Sequence, residues 1–132
     1  KRAADAVMTH VADISRTSYS MPPAHGAAIV ATILGDPALR AEWEAELTQM
    51  RERMIALRKA LSDALVAKAG SNRLAALAEQ NGMFSQIPVT PDAAQDMREK
   101  HGLYLPASGR INIAGLRQAD IPRIADIMAE YL

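Results

Sequence analysis

Two arginines stand apart from the other cations of this chain. Arg16 lies just past an expected helix end, in the run Thr17-Ser18-Tyr19-Ser20 that leads to Pro22-Pro23. Arg110 follows Ser108-Gly109 and opens the apolar segment Ile111-Asn112-Ile113-Ala114. Glycine, serine and proline stiffen or turn such segments, and a guanidinium on a stiff support grips a carboxylate with two prongs, which a lysine ammonium does not reproduce. The chemistry on offer is carboxylate recognition. Taken alone, a structural ion pair is the more ordinary role for each.

The remaining reactive residues offer less. His10, His25 and His101 are far apart, and none has a second histidine or a carboxylate at a metal-motif spacing. His10 and His101 read as solvated helix residues and His25, beside Pro-Pro and Gly26, as a loop hydrogen-bonder. The sequence contains no cysteine, which removes disulfide scaffolds, thiolate zinc sites, iron–sulfur clusters and cysteine nucleophiles from consideration. Neither G-x-G-x-x-G nor G-x-x-x-x-G-K-[ST] occurs, so no glycine loop for phosphate is expected. Ser108-Gly109 lacks the G-x-S-x-G frame of a nucleophile elbow, and Glu44 and Glu46 read as a solvated helix face.

The elements that must hold the arginines follow from periodicity. Ala4, Val7, Met8, Val11 and Ile14 mark one helical face, and the prolines at 22 and 23 predict an extended loop over residues 15–23. An alanine-rich helix over residues 24–34 carries little charge and is expected to be buried on more than one side. Asp36-Pro37 is a cap followed by a first-turn proline, and from there Leu39, Trp43, Leu47, Met50, Met54, Leu57, Leu61 and Leu65 form one stripe ending at Gly70. A helix over 37–69 spans roughly 50 Å and would bridge parts of a larger body. Its stripe is read as packing on its own domain, with a coiled-coil seam as the alternative.

Beyond it a short helix is expected over 72–80, a strand over 83–87, and a helix from Thr90-Pro91 to His101 with Gly102 closing it. Leu103-Tyr104-Leu105 and Ile111 to Ala114 are strand candidates around the Pro106–Arg110 loop, and Ile121, Ile124, Ile127, Met128 and Leu132 mark a last helix. The segment is therefore expected to be a mostly helical α+β domain with a long bridging helix and a small sheet.

Composition narrows the function classes. The 132 residues are 49% hydrophobic and 23% charged, as in ordinary globular proteins. Fifteen basic residues balance fifteen acidic ones, which argues against a partner bound by neutralising many phosphates, so no nucleic acid is expected. The apolar stretch Ala27 to Leu34 is far shorter than the roughly 20 residues of a membrane span, so no membrane is expected either. A cytoplasmic location is the default, and the absence of a starting methionine suggests a piece of something longer.

Three stretches carry a family resemblance. They are Arg16-Thr17-Ser18-Tyr19-Ser20-Met21-Pro22-Pro23-Ala24-His25-Gly26, Asn81-Gly82-Met83-Phe84-Ser85, and Ala107-Ser108-Gly109-Arg110-Ile111-Asn112-Ile113-Ala114-Gly115. In order and spacing they resemble the C-terminal third of the aspartate and aromatic amino-acid aminotransferases, class I of the pyridoxal-phosphate enzymes. The resemblance implies a parent of the α/β fold type I with pyridoxal 5'-phosphate as cofactor. It also implies amino acids and 2-oxo acids such as 2-oxoglutarate as substrates, and a homodimer. Residues 1–36 would be linking helices and a substrate loop, and residues 37–132 a small domain closing over the substrate.

By the same resemblance Arg110 matches the arginine that grips the α-carboxylate, and Arg16 the one that reaches from the partner subunit to a distal carboxylate. Ser20 resembles a residue lining the neighbouring subunit's pocket, and Phe84 one beside the substrate. Met21 departs from the Tyr-Ser-Asn-Pro-Pro pattern of many aspartate-preferring members, and a thioether there favours tolerance of aromatic substrates. The Schiff-base lysine and the phosphate-binding residues belong to upstream motifs that the chain does not match. No catalytic or cofactor-binding residue is therefore assigned, and the segment alone is expected to be inactive. Without the resemblance, the reading would be a non-catalytic interaction module using the Trp43 stripe.

Overall fold

The computed structural model describes residues 2–70 and 72–132. Five α-helices and two short strands follow in the order α1 (Arg2–Tyr19), α2 (His25–Gly35), α3 (Pro37–Ala69), β1 (Phe84–Gln86), α4 (Pro91–His101), β2 (Arg110–Asn112) and α5 (Ile121–Ala129). Single 3-10 segments occupy Asn72–Leu77, Ile113–Gly115 and Gln118–Asp120. Two compact units divide inside α3, one running to Ala45 and the other starting at Glu46.

In the first unit the expected loop over 15–23 is shorter than the prolines alone imply. Helix α1 continues to Tyr19 because its hydroxyl side chains turn back on the helix: Thr17 Oγ1 donates to the Asp13 carbonyl at 2.8 Å. The chain leaves the helix at Ser20, whose φ of 57° is left-handed, while its N–H still reaches the Arg16 carbonyl at 3.1 Å. The expected burial of the second helix is also corrected, since α2 contains no buried residue. A unit of this size is close to the roughly 40-residue limit below which a closed core is hard to build.

Helix α3 begins where the cap-plus-proline pattern places it. Asp36 Oδ1 accepts from the Ala38 and Leu39 amides at 2.8 and 3.1 Å, satisfying donors that a helix start leaves open. The apolar stripe divides in two. Leu57, Leu61 and Leu65 are buried, whereas Leu39, Trp43, Leu47 and Met50 are exposed.

The core of the second unit gathers Leu61, Leu65, Met97, Ile113, Ile121 and Ala125 from α3, α4, α5 and the segment after β2. Thr90 caps α4 by accepting from Ala93 N at 3.1 Å, and Gly102, at φ 64°, closes it. The expected helix over 72–80 is instead a 3-10 segment, and the buried Ser62 hydroxyl donates to its Leu74 carbonyl at 3.0 Å. The strand expected at Leu103–Leu105 does not form. Leu103 N is committed to the Met97 carbonyl at 3.0 Å in closing α4, and the sheet holds only β1 and β2.

The two strands are antiparallel, with Phe84 opposite Asn112, Ser85 opposite Ile111 and Gln86 opposite Arg110. Ser85 and Ile111 are buried while their flanking residues are exposed, the two-residue alternation of a half-covered sheet. β2 ends earlier than expected because Asn112 Oδ1 accepts from Ala114 N at 3.1 Å and turns the chain into the 3-10 segment.

Gly109 fixes how β2 starts. Its φ is +74°, and a Cβ there would lie 2.0 Å from the Ile87 carbonyl oxygen, which is backbone and has no rotamer to yield. Gly109 N donates to Pro106 O at 2.8 Å, and Ile87 N donates to Gly109 O at 2.9 Å. Gly109→Ala in the complete protein combines left-handed strain with a steric clash and is expected to cost about 2 kcal/mol or more. Chemical denaturation checks this; an unchanged midpoint would contradict the close approach.

Candidate carboxylate-binding site

Strand alternation places Arg110 and Phe84 on one face of the ladder, as diagonal cross-strand neighbours. The Arg110 Cζ lies 4.8 Å from the centre of the Phe84 ring, within cation–π range. The ring thus supports the guanidinium from below through its π face. This leaves the polar edge of the fork available to a ligand, which is how a planar carboxylate is gripped.

A cavity of about 340 Å³ adjoins this pair, lined by Arg110, Phe84, Tyr104, Leu105, Asn112 and Leu116 among others. Its walls come from β1, β2, the segment after α4, the 3-10 turn and the inner sides of α3 and α5, all within the second unit. An apolar cavity with a single arginine at its wall suits an organic acid: the walls take the carbon skeleton and the cation takes the charge.

Arg16 and Ser20 lie in the first unit. Arg16 is in the last turn of α1, rather than past its end, and is exposed. Ser20 closes the helix through its amide, and its hydroxyl is exposed. Arg110 with Phe84, and Arg16 with Ser20, are therefore two local pairs. Among the described residues neither Arg16 nor Arg110 enters an ion pair, whereas Arg40, Lys59, Lys68, Lys100 and Arg117 each do, and His101 lies close to Glu130.

The histidines divide differently from expectation. His10 is exposed on α1, and His25 is the first residue of α2 rather than part of a loop. His101 is partly buried instead of solvated. Its Nε2 lies 3.3 Å from the Tyr131 hydroxyl, the two rings meet edge-on, and its carbonyl accepts from Arg123. No group of three or more metal-ligating side chains occurs among the described residues.

Lysines suited to imine chemistry need a desolvated amine of lowered pKa. Lys59, Lys68 and Lys100 are each more than half exposed and paired with Asp63, Asp126 and Asp96. The hydrogen bond that Lys100 donates to Asp96, reinforced by the charge of the carboxylate, holds the ammonium above its ordinary range, the opposite of what a nucleophilic amine requires.

Two arginines of α3 are missing from the sequence-derived site. Arg58 is only 3% exposed and donates to Ser85 Oγ and the Gly82 carbonyl, and Arg53 donates to the Ala114 and Leu116 carbonyls at 3.1 and 2.9 Å. The signal available in the sequence is Arg58 itself, a charge beside the buried stripe positions Leu57 and Leu61.

Comparison with known proteins bears on what this geometry serves. The family described as aminotransferase class I and II matches residues 3–128. A tyrosine aminotransferase of Rhizobium meliloti (strain 1021) is 51% identical over 93% of this chain and 31% of its own length. An aspartate aminotransferase of Salmonella typhi is 40% identical over 97% of this chain and 32% of its own. Among solved structures, an aromatic-amino-acid aminotransferase from Burkholderia pseudomallei, covalently bound to pyridoxal phosphate, superposes with a TM-score of 0.88. It is 37% identical over 98% of this chain and 33% of that one. The chain spans about a third of the length of the curated relatives it matches. These likenesses do not favour the non-catalytic interaction module, and no helix among the described residues is long and apolar enough to cross a membrane. With a family match that runs nearly end to end, the chain belongs to the aminotransferases of class I and II.

Proposed function

We propose that the complete protein containing this chain is an aminotransferase. It would move an amino group between an aromatic or dicarboxylic L-amino acid and a 2-oxo acid such as 2-oxoglutarate, with Arg110 binding the α-carboxylate. The observation that carries this reading is the Arg110 guanidinium itself, stacked on Phe84 at the wall of an apolar cavity and free of ion pairs among the described residues. A fork held at a fixed angle orients the bonds at Cα as well as binding the acid, and orientation accounts for much of the rate such a site supplies. Phe84 maintains that angle and lies beside the substrate.

Arg16 is assigned to the distal carboxylate of a dicarboxylic substrate in the neighbouring subunit of a homodimer, with Ser20 lining the same pocket. Exposure of both residues is compatible with that role. Met21, 79% exposed, brings an adaptable thioether to this loop, which supports tolerance of aromatic side chains. The identity to a tyrosine aminotransferase points the same way. Residues 1–36 then link to the rest of the protein, residues 37–132 form a small domain that closes over substrate, and the location is cytoplasmic.

Pyridoxal 5'-phosphate supplies the electron sink in enzymes that use it. The described residues of this chain do not fit the task of holding it: the three lysines are exposed and ion-paired, and no glycine loop for phosphate is present in the sequence. Its attachment is assigned to the rest of the complete protein.

Steady-state kinetics on the complete protein test the division of roles. Arg110→Lys should lower kcat/KM for every amino acid by about 10- to 100-fold, the loss expected for a charge-assisted fork. Arg16→Ala should lower it by a similar factor for aspartate and glutamate while leaving tyrosine within about threefold. Equal losses on both substrate classes in both variants would defeat the assignment. Phe84→Leu removes the π face and should raise KM for all substrates about two- to fivefold, the worth of an exposed cation–π contact; an unchanged KM would remove Phe84 from the site.

A further inference from the structure

The arginine buried beneath the ladder gives a further assignment. Arg58 lies among the buried residues of α3, between Leu57 and Leu61. Burying a guanidinium is costly, and an apolar side chain of similar volume generally packs there at no penalty. The cost here is not met by an acid, because Arg58 enters no ion pair among the described residues. Its fork is spent on the strand that carries Phe84: Nε donates to Ser85 Oγ at 3.3 Å and Nη2 to the Gly82 carbonyl.

Those two acceptors bracket the residues that matter. Gly82, at φ +84°, is the turn residue before β1, and Ser85 is the inward-facing centre of the strand. Between them Met83 O accepts from Ile113 N at 2.9 Å, and Phe84 faces outward under Arg110. A slip of one residue in a strand exchanges its two faces. In β1 it would present Ser85 outward and turn Phe84 inward, away from Arg110. A two-stranded ladder is marginal by itself, so something beneath must fix its register. Arg53, five residues earlier on α3, grips the carbonyls of Ala114 and Leu116 just beyond β2, so both strands are tied to the same helix.

We propose that Arg58 is a positioning residue for the carboxylate site: from the buried side of the ladder it fixes β1 so that Phe84 and Arg110 meet on the other side. The proposal rests on the reading of Arg110 as the α-carboxylate ligand. Arg58 itself touches no substrate; it acts through Ser85 and Gly82.

The test is a double-mutant cycle in the complete holoenzyme, read by calorimetric binding of 3-phenylpropionate, a carboxylate with no amino group to react. Arg58→Met should raise Kd about tenfold, as a misdirected contact does, and Arg58→Lys should restore part of the affinity. In the Arg110→Lys background, Arg58→Met should add less than about twofold, because the two act through one contact. Overturning results are a Kd within about twofold of the parent for folded Arg58→Met, or full additivity with Arg110→Lys. If Arg58→Met does not fold, Ser85→Ala removes one acceptor and leaves the strand backbone intact; it should raise Kd about threefold, and an unchanged Kd overturns the proposal. The underlying reading is tested separately by Arg110→Lys alone. Unaltered affinity there would end that reading and the proposal with it, whereas loss there with none at Arg58 would end only the proposal.

Discussion

Three residue pairs between β1 and β2 set where Phe84 and Arg110 stand. The ladder has an inner face, Ser85 and Ile111, that is buried and an outer face, Phe84 and Arg110, that is exposed. So short a ladder holds its register only by borrowing stability from neighbours. Ile111 joins the core made by α3 and α5, Gly109 lets the chain enter β2 at a backbone approach closed to other residues, and Gln86 Nε2 donates to the Ser108 carbonyl across the turn. Local backbone geometry, core packing and side-chain hydrogen bonds all converge on one cation.

Helix α3 explains how one segment serves two purposes. Its C-terminal half supplies leucines to the core and an arginine fork to each strand's margin. Its N-terminal half carries exposed apolar side chains, Leu39 and Trp43 in the first unit and Leu47 and Met50 in the second. The stripe is continuous in sequence, so the change of role comes from what lies beside the helix. Leucine at 47 and leucine at 57 have the same intrinsic preference for burial, and of the two only the second is buried.

Much of this was legible in the residues. Asp36-Pro37, Thr90-Pro91, Gly70 and Gly102 are strong local signals because caps and left-handed stops depend on few neighbours. Their predicted ends coincide with those of α3 and α4. Failures fell where a residue had two options. Thr17 could compete with the helix or bond back along it, and it bonds back to Asp13. Leu103–Leu105 has strand-like residues but no available partner strand, and pairing is a tertiary property that composition does not encode. The same limit applied to the site. Arg110 was visible from its turn, while Arg58 stayed hidden in a helical stripe, because its acceptors lie more than twenty residues away.

The division of α3 also has an optical consequence. Trp43, the sole tryptophan, sits on the helix just before Ala45, where the first unit ends, and is 41% exposed. Indole emission shifts to shorter wavelength as water is withdrawn from the ring. The molecule therefore carries one indole, within the first unit, and the colour of its emission reports directly on whatever comes to cover that part of α3.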